Sequence, residues 1–118
     1  MSDTVHPGAR VIAISSDVMG HGDEGLGMVL MRSYLHTLTE VEPRPDTIVF
    51  FNNGVRLGVE GSATVDDLRA IAARGTQLLF CGTCVNAFEL TDKMAVGEIS
   101  NMWAISETML RAASVINL

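Results

Sequence analysis

The sequence predicts an α/β protein, a small single domain of the flavodoxin-like or Rossmann-like type. Short runs of β-branched and aromatic residues alternate along the chain with segments of helical periodicity. That alternation is typical of βαβ units, which build a mostly parallel sheet with helices on both faces. A length of 118 residues suits one such domain with one core. We therefore expect about five strands in a single sheet.

Each predicted element follows from a local pattern. Strands are expected where apolar runs are short, at residues 10–16, 47–51, 77–81, 96–100 and 115–118. Helices are expected at residues 24–40, 63–74, 84–90 and 101–113, with Asp23 and Ser62 as N-caps of the first two. Helical spacing predicts inward faces formed by Leu26, Val29, Leu30, Tyr34, Leu35 and Leu38, by Val65, Leu68, Ile71 and Ala72, and by Met102, Ile105 and Met109. Residues 1–9 are predicted to be a flexible leader, and residues 10–118 the domain.

Composition narrows the functional classes. With 8 basic and 14 acidic residues the formal charge is −6, which argues against a nucleic-acid partner. No apolar run approaches the length of a membrane helix, and the polar start lacks the apolar segment of a signal peptide. We therefore expect a cytoplasmic protein with no membrane partner. In a reducing compartment, two cysteines are more often reactive or metal-binding than a structural disulfide.

Both cysteines, Cys81 and Cys84, follow a predicted buried strand, where an open α/β sheet usually carries its chemistry. Four interpretations are open: a zinc site, a dithiol redox pair, a persulfide carrier, and two inert buried thiols. Zinc needs more ligands than these two sulfurs, and His6, His21 and His36 lack ligand spacing, so no metal is expected. A thioredoxin-like site generally needs a proline beside it, and no proline follows Pro45. A persulfide carrier needs a thiolate with a depressed pKa, which a helix N-terminus would supply.

A glycine-rich stretch precedes the first predicted helix. Gly20, Gly22 and Gly25 fit the spacing G-x-G-x-x-G of dinucleotide-binding loops. Asp23 and Glu24 would place negative charge where phosphates bind, and the second strand is followed by Asn52 and not by an acidic residue. We therefore expect a tight loop shaped by glycine and not a dinucleotide site.

Polar residues of these loops are candidates for lining the site. His21 would act as a base if its loop folds over the cysteines, and Asn52 and Asn53 would donate hydrogen bonds to a ligand, although Asn-Gly is first of all turn chemistry. The complete predicted site comprises Cys81 and Cys84 as catalytic thiols and Gly20, His21, Gly22, Asn52, Asn53, Gly54, Gly82 and Thr83 as lining residues. Trp103 is expected either to cover an interface or to be partly buried.

At Cys81-Gly82-Thr83-Cys84 the sequence resembles the DsrE/DsrF-like sulfurtransferase family. The resemblance is greatest to the C-terminal domain of YedF-like proteins, which are described as sulfurtransferase-like proteins of selenium metabolism. It extends over residues 14–20, 22–24, 26–27, 51–55 and 96–102. The N-terminal TusA-like carrier domain that is common in YedF-like proteins has no counterpart in these 118 residues.

The resemblance implies a DsrE-like fold, assembly into homo-oligomers, and transfer of persulfide sulfur between donor and acceptor proteins, with a TusA-like carrier as a candidate partner. It implies no organic cofactor. It also implies that the sulfur-accepting thiol ends the third strand, which by position is Cys81. The helix-dipole argument favours Cys84, so both thiols are retained with Cys81 ranked first. The alternative function is a non-catalytic ligand-binding or assembly module of the same fold.

Overall fold

A computed structural model describes residues 8–118, and the predicted leader at residues 1–9 lies almost entirely outside this range. The strands are β1 (Arg10–Ile14), β2 (Thr47–Phe50), β3 (Gln77–Cys81), β4 (Glu98–Ser100) and β5 (Ser114–Asn117). The helices are α1 (Glu24–Leu38), α2 (Val65–Ala73), α3 (Gly82–Ala87) and α4 (Met102–Arg111). The predicted alternation of strands and helices is confirmed, with each boundary within a few residues.

All five strands are parallel and lie in the order β4-β3-β2-β1-β5. The chain therefore steps in one direction from β1 to β4 and then returns across the sheet to place β5 beside β1. Because parallel crossovers are right-handed, a reversal of direction moves the connecting helix to the opposite face. Helices α1, α2 and α3 should then share one face of the sheet, and α4 should lie on the other.

The buried side chains form two clusters that agree with this arrangement. On the first face, Phe50 and Phe80 stack with ring centroids 4.2 Å apart, beneath Leu35 of α1 and Leu68 of α2. On the second face, Ile105 of α4 packs against alternate residues of the central strands, namely Val11, Ala13, Val49, Leu79 and Cys81. The predicted α/β fold with helices on both faces is thus confirmed, and a single long helix covers the second face.

The inward face predicted for α1 is partly wrong. Leu26 and Val29 are more than half exposed and Leu30 is exposed as well, whereas Met31, Leu35 and Leu38 are buried. The loop before the helix decides this, because a Cβ on Gly27 would lie 2.9 Å from the Cβ of Val18. The loop lies directly on Gly27 and sets the rotation of α1 about its axis, which leaves Leu26, Val29 and Leu30 in solvent.

Two further predictions need correction. The first residue before α2 is Thr64 and not Ser62; the Thr64 hydroxyl donates to the carbonyl of Leu57, 2.7 Å away, instead of capping the helix. In α4, Ile105 is buried and Met109 half-buried, but Met102 is about half exposed because it begins the helix beyond the sheet edge. Trp103 is 81% exposed, so the partial burial considered for it does not occur within the chain.

The segment after β2 is more ordered than predicted. Residues Asn52–Gly58 form a 3-10 helix where the sequence predicted an Asn-Gly loop. The helix packs against β1: a Cβ on Gly54 would lie 2.3 Å from the carbonyl oxygen of Ile14. Glycine is therefore required at position 54 by close approach of backbone to backbone. Within residues 8–118, no helix is long and apolar enough to cross a membrane.

Candidate functional site: a thiol pair at the carboxyl edge of the sheet

The cysteines lie where the connections that leave two neighbouring strands, β3 and β4, run to opposite faces of the sheet. Cys81 ends β3 and is in register with Ser100, which ends β4. The chain then enters α3 on the first face after β3 and α4 on the second face after β4. In open parallel sheets a crevice forms outside the carboxyl ends of such strands, and ligands usually bind there. The predicted position of the chemistry at this edge therefore coincides with a topological switch point.

Gly82 holds this edge together. A Cβ at position 82 would lie 2.7 Å from the carbonyl oxygen of Ser100, a backbone atom that has no room to give way. Position 82, where the end of β3 lies against the end of β4, therefore has room only for glycine, and the role of Gly82 is packing. Thr83, the next residue, is exposed in the first turn of α3.

The two thiols are adjacent but differ in exposure. Cys81 is the N-cap residue of α3, and Cys84 is the third residue of that helix. Residues three apart on a helix lie on the same side of it, so the two thiols are neighbours. Cys81 is close enough to raise the pKa of Cys84. Cys81 is only 1% exposed, packed with Leu79 and Ile105, whereas Cys84 is partly exposed.

Asn52 contributes a backbone donor to the exposed thiol. Its N–H points at Sγ of Cys84, with 3.1 Å between nitrogen and sulfur. Asn52 has a φ of 47°, in the left-handed region that asparagine tolerates better than most residues. The predicted involvement of Asn52 therefore acts through its main chain, on a cysteine 32 positions away.

The pKa of Cys84 moves in the direction opposite to the sequence prediction. Burial raises the pKa of this thiol above its ordinary value, and the neighbouring Cys81 raises the pKa further, while the Asn52 N–H lowers it. The expectation of a pKa depressed by a helix N-terminus is wrong for Cys84. Helix α3 has only six residues, and its dipole is correspondingly small against the loss of hydration.

Arginine side chains were missed by the sequence prediction. The guanidinium of Arg56 lies over the Phe88 ring, 4.2 Å from its centroid, and its Nε donates to Oδ1 of Asn53 at 3.0 Å. Phe88 is the C-cap of α3, so Arg56 ties the Asn52–Gly58 turn to the cysteine helix. The scarcity of basic residues offered a signal, since one of only 8 stands two residues after Asn52-Asn53-Gly54.

A cavity of about 130 Å³ lies beside this turn. Its lining carries two cationic side chains, Arg32 and Arg56, and one carboxylate, Asp17. The remaining lining residues are Met28, Met31, Leu57, Ser62, Ala63 and Thr64. The excess of positive charge suits a small anion.

The glycine-rich loop stands apart from the thiols. Gly20, His21 and Gly22 are exposed in the loop that follows β1, and β2 separates β1 from the cysteine strand. Among the hydrogen bonds of residues 8–118, none involves the His21 ring. Asp23 caps α1, since its Oδ1 accepts from the N–H of Leu26 at 2.9 Å. The predicted N-cap is confirmed, and its carboxylate occupies the position that a phosphate would need.

The fold matches solved structures, although the sequence matches no family. No protein-family model matches the chain, and no curated protein matches it. The crystal structure of the YchN protein from E. coli superposes with a TM-score of 0.71 at 18% identity, covering 94% of this chain and 99% of YchN. MTH1491 from Methanobacterium thermoautotrophicum, a protein of unknown function, superposes with a TM-score of 0.67, also at 18% identity and with the same coverage of 94% and 99%.

These likenesses define the class of fold. The chain has the DsrE-like α/β fold of YchN, over nearly its whole length and that of its structural neighbours. At 18% identity the likeness carries the architecture and no activity. What the site does must be argued from its own residues.

Proposed function

We propose that this protein is a persulfide sulfur carrier, in which Cys84 receives the sulfur and Cys81 supports it. One observation carries the proposal: a partly exposed thiol at the switch point of the sheet lies between a backbone donor from Asn52 and a second, buried thiol. A carrier thiol must meet a protein donor, and of the two sulfurs only that of Cys84 is accessible in the chain. Exposure therefore favours Cys84 over Cys81, which the sequence prediction ranked first.

The chemistry requires no group beyond the thiols. The Cys84 thiolate attacks the outer sulfur of a donor persulfide, forms a new S–S bond, and releases the donor as a thiolate. The raised pKa of Cys84 departs from the depressed pKa that the sequence prediction required of a carrier thiol, so little thiolate is present at neutral pH and Cys84 should load slowly there. Loading should therefore accelerate as the pH rises toward that pKa.

Sulfur-donor and sulfur-acceptor proteins are the partners that this activity implies. The resemblance to YedF-like proteins makes a TusA-like carrier the first donor to test, and we propose a role in sulfur or selenium metabolism. Two free thiols suit the reducing cytoplasm.

We also propose that a second copy of the chain covers α4. Trp103 and Leu110 lie two turns apart on the exposed side of this helix and are 81% and 85% exposed. In an antiparallel pairing of two such helices, Trp103 of one copy meets Leu110 of the other, twice, as a two-fold interface requires. An aromatic anchor facing an aliphatic side chain is typical of the core of stable interfaces.

Intact-protein mass spectrometry tests the carrier proposal. The reduced protein is incubated with a persulfide-loaded TusA-like protein, and wild type is compared with Cys84→Ser and Cys81→Ser. We expect a gain of about 32 Da, one sulfur atom, that dithiothreitol removes and that is absent in Cys84→Ser. No gain in any variant, from a donor that loads a known carrier protein in parallel, would refute the proposal.

A second function, small-anion binding without sulfur transfer, is favoured by the cavity between Arg32 and Arg56. Its lining combines two guanidinium groups with a single carboxylate, in a chain whose overall charge is −6. Inorganic phosphate and thiosulfate are suitable probes. Binding should raise the melting temperature with increasing anion concentration and should persist when both cysteines are replaced by serine.

A further inference from the structure

A sulfur atom loaded on Cys84 would have the second thiol as a neighbour. Cys81 and Cys84 lie three residues apart at the start of α3, so their side chains lie on the same side of the helix. Cys81 is 1% exposed and packs with Ile105 of α4, whereas Cys84 is partly exposed. Cys84 is therefore the thiol that solvent and a donor can reach.

A sulfur atom added to Cys84 has room toward solvent, because Cys84 is partly exposed. A sulfur atom on Cys81 would instead have to displace packed side chains, because protein cores have no spare volume. The thiol of Cys81 therefore has no room to store sulfur, but it lies next to Cys84 at the start of α3 and can attack its sulfur.

We propose that Cys81 discharges the persulfide of Cys84 as sulfide, an activity that rests on the proposed carrier function. The Cys81 thiol attacks Sγ of Cys84, and its proton passes to the outer sulfur of the persulfide anion. The new bond joins the two cysteine sulfurs, and the bond between Sγ of Cys84 and the outer sulfur breaks. The outer sulfur leaves with the bonding electron pair as hydrosulfide. Two thiols are oxidised to a disulfide while the sulfane sulfur of the donor persulfide, the oxidant, is reduced by two electrons.

Burial selects this attack over transfer of the outer sulfur to Cys81. A transferred sulfur would have to fit among the packed side chains around Cys81, which is 1% exposed. Hydrosulfide released from the partly exposed Cys84 can instead leave to solvent.

Two consequences follow for the cycle. Without an acceptor, the loaded protein ends as the Cys81–Cys84 disulfide and one equivalent of sulfide. A dithiol reductant, such as a thioredoxin-type protein or dithiothreitol, must then restore the two thiols before another turnover. An acceptor receives sulfur only when it reaches Cys84 before Cys81 attacks.

The experiment uses the full chain, reduced and freed of reductant, with glutathione persulfide as the probe. Released sulfide is measured by a colorimetric assay, and the protein by intact mass. For wild type we expect the gain of about 32 Da to be transient and to give way to one equivalent of sulfide and a loss of about 2 Da, the two hydrogens lost on disulfide formation. For Cys81→Ser we expect the gain of about 32 Da to persist and sulfide release to fall at least about tenfold. The double Cys→Ser variant sets the background from decay of the probe.

Each outcome separates the two proposals. If wild type and Cys81→Ser hold the added sulfur equally long, the discharge is refuted and the carrier function stands. If no variant with Cys84 takes up sulfur, the carrier function itself is refuted. Should Cys81→Ser fail to fold, Cys81→Ala keeps the core apolar and replaces it. Peptide mapping of wild type must in either case show the Cys81–Cys84 disulfide, and its absence would also refute the discharge.

Discussion

Replacing Gly54 with alanine perturbs the turn that holds Asn52 beside Cys84. The added Cβ would lie 2.3 Å from the carbonyl oxygen of Ile14 and 3.1 Å from its carbon. Both atoms belong to the backbone of a central strand, so no side chain can rotate away. The Asn52–Gly58 turn and the end of β1 must separate by roughly 1 Å to restore an ordinary contact.

The cost has two parts. Overpacking a well-packed site costs about 1–3 kcal/mol. The same Ile14 oxygen accepts a hydrogen bond from the N–H of Phe51 at 2.9 Å, and moving the turn weakens that bond, for about 1 kcal/mol more. We therefore expect Gly54→Ala to lower the free energy of unfolding by about 2–4 kcal/mol.

Urea denaturation measures this change, and alkylation of Cys84 by iodoacetamide measures its effect on the site. The N–H of Asn52 lowers the pKa of Cys84. Displacing the turn removes this donor, so the pKa should rise and alkylation at a pH below it should slow. Gly25→Ala is the matched control, because Gly25 lies in the first turn of α1, where a Cβ meets only Oδ1 of Asp23 at 3.3 Å. If Gly54→Ala lowers the free energy of unfolding by less than about 0.5 kcal/mol, as a substitution at an uncrowded surface position does, the packing argument is refuted.

Three further predictions address the thiols, the cavity and the exposed helix. Cys81→Ser should lower the pKa of Cys84, because the neighbouring thiol raises it, and the pH profile of iodoacetamide alkylation should shift to lower pH. Arg32→Gln should abolish the stabilisation by phosphate or thiosulfate if the cavity binds anions, while Arg69→Gln, remote from the cavity lining, should retain it. Trp103→Ser should lower the mass measured by size-exclusion chromatography with light scattering, from that of an oligomer toward that of one chain.

Each of these predictions has a result that contradicts it. An unchanged or upward-shifted alkylation profile in Cys81→Ser would show that the buried thiol does not act on Cys84. If Arg32→Gln and Arg69→Gln are stabilised equally by phosphate or thiosulfate, the cavity is not the anion-binding site. A wild-type protein that already elutes as a single chain would refute the α4 interface.

The raised pKa of Cys84 also gives stability a pH dependence. A group whose pKa is higher in the folded state adds stability that is complete below the unfolded pKa and is lost as the pH rises through the folded pKa. Wild type should therefore lose stability with alkaline pH more steeply than Cys84→Ser. The two denaturation midpoints, compared across alkaline pH, measure this difference, and parallel curves would contradict the direction of the shift.

Local patterns in the sequence determined the elements and the edge at which the chemistry lies. Short apolar runs gave β1 and β3, and Asp23 gave the start of α1, because strand burial and N-capping depend on neighbours in the chain. The order of βαβ units predicted the parallel sheet, since crossovers of one hand allow few alternatives. The position of Cys81 at the end of a buried strand followed from the same reasoning.

Contacts between distant segments decided the rest. The rotation of α1 depends on the loop that lies on Gly27, so the exposure of Leu26, Val29 and Leu30 could not be foreseen from helical spacing alone. The N–H of Asn52 reaches Cys84 only because β2 lies beside β3. Which thiol is buried, and in which direction the pKa of Cys84 moves, follows from packing around α3 and α4, because desolvation depends on atoms that sequence spacing does not bring together.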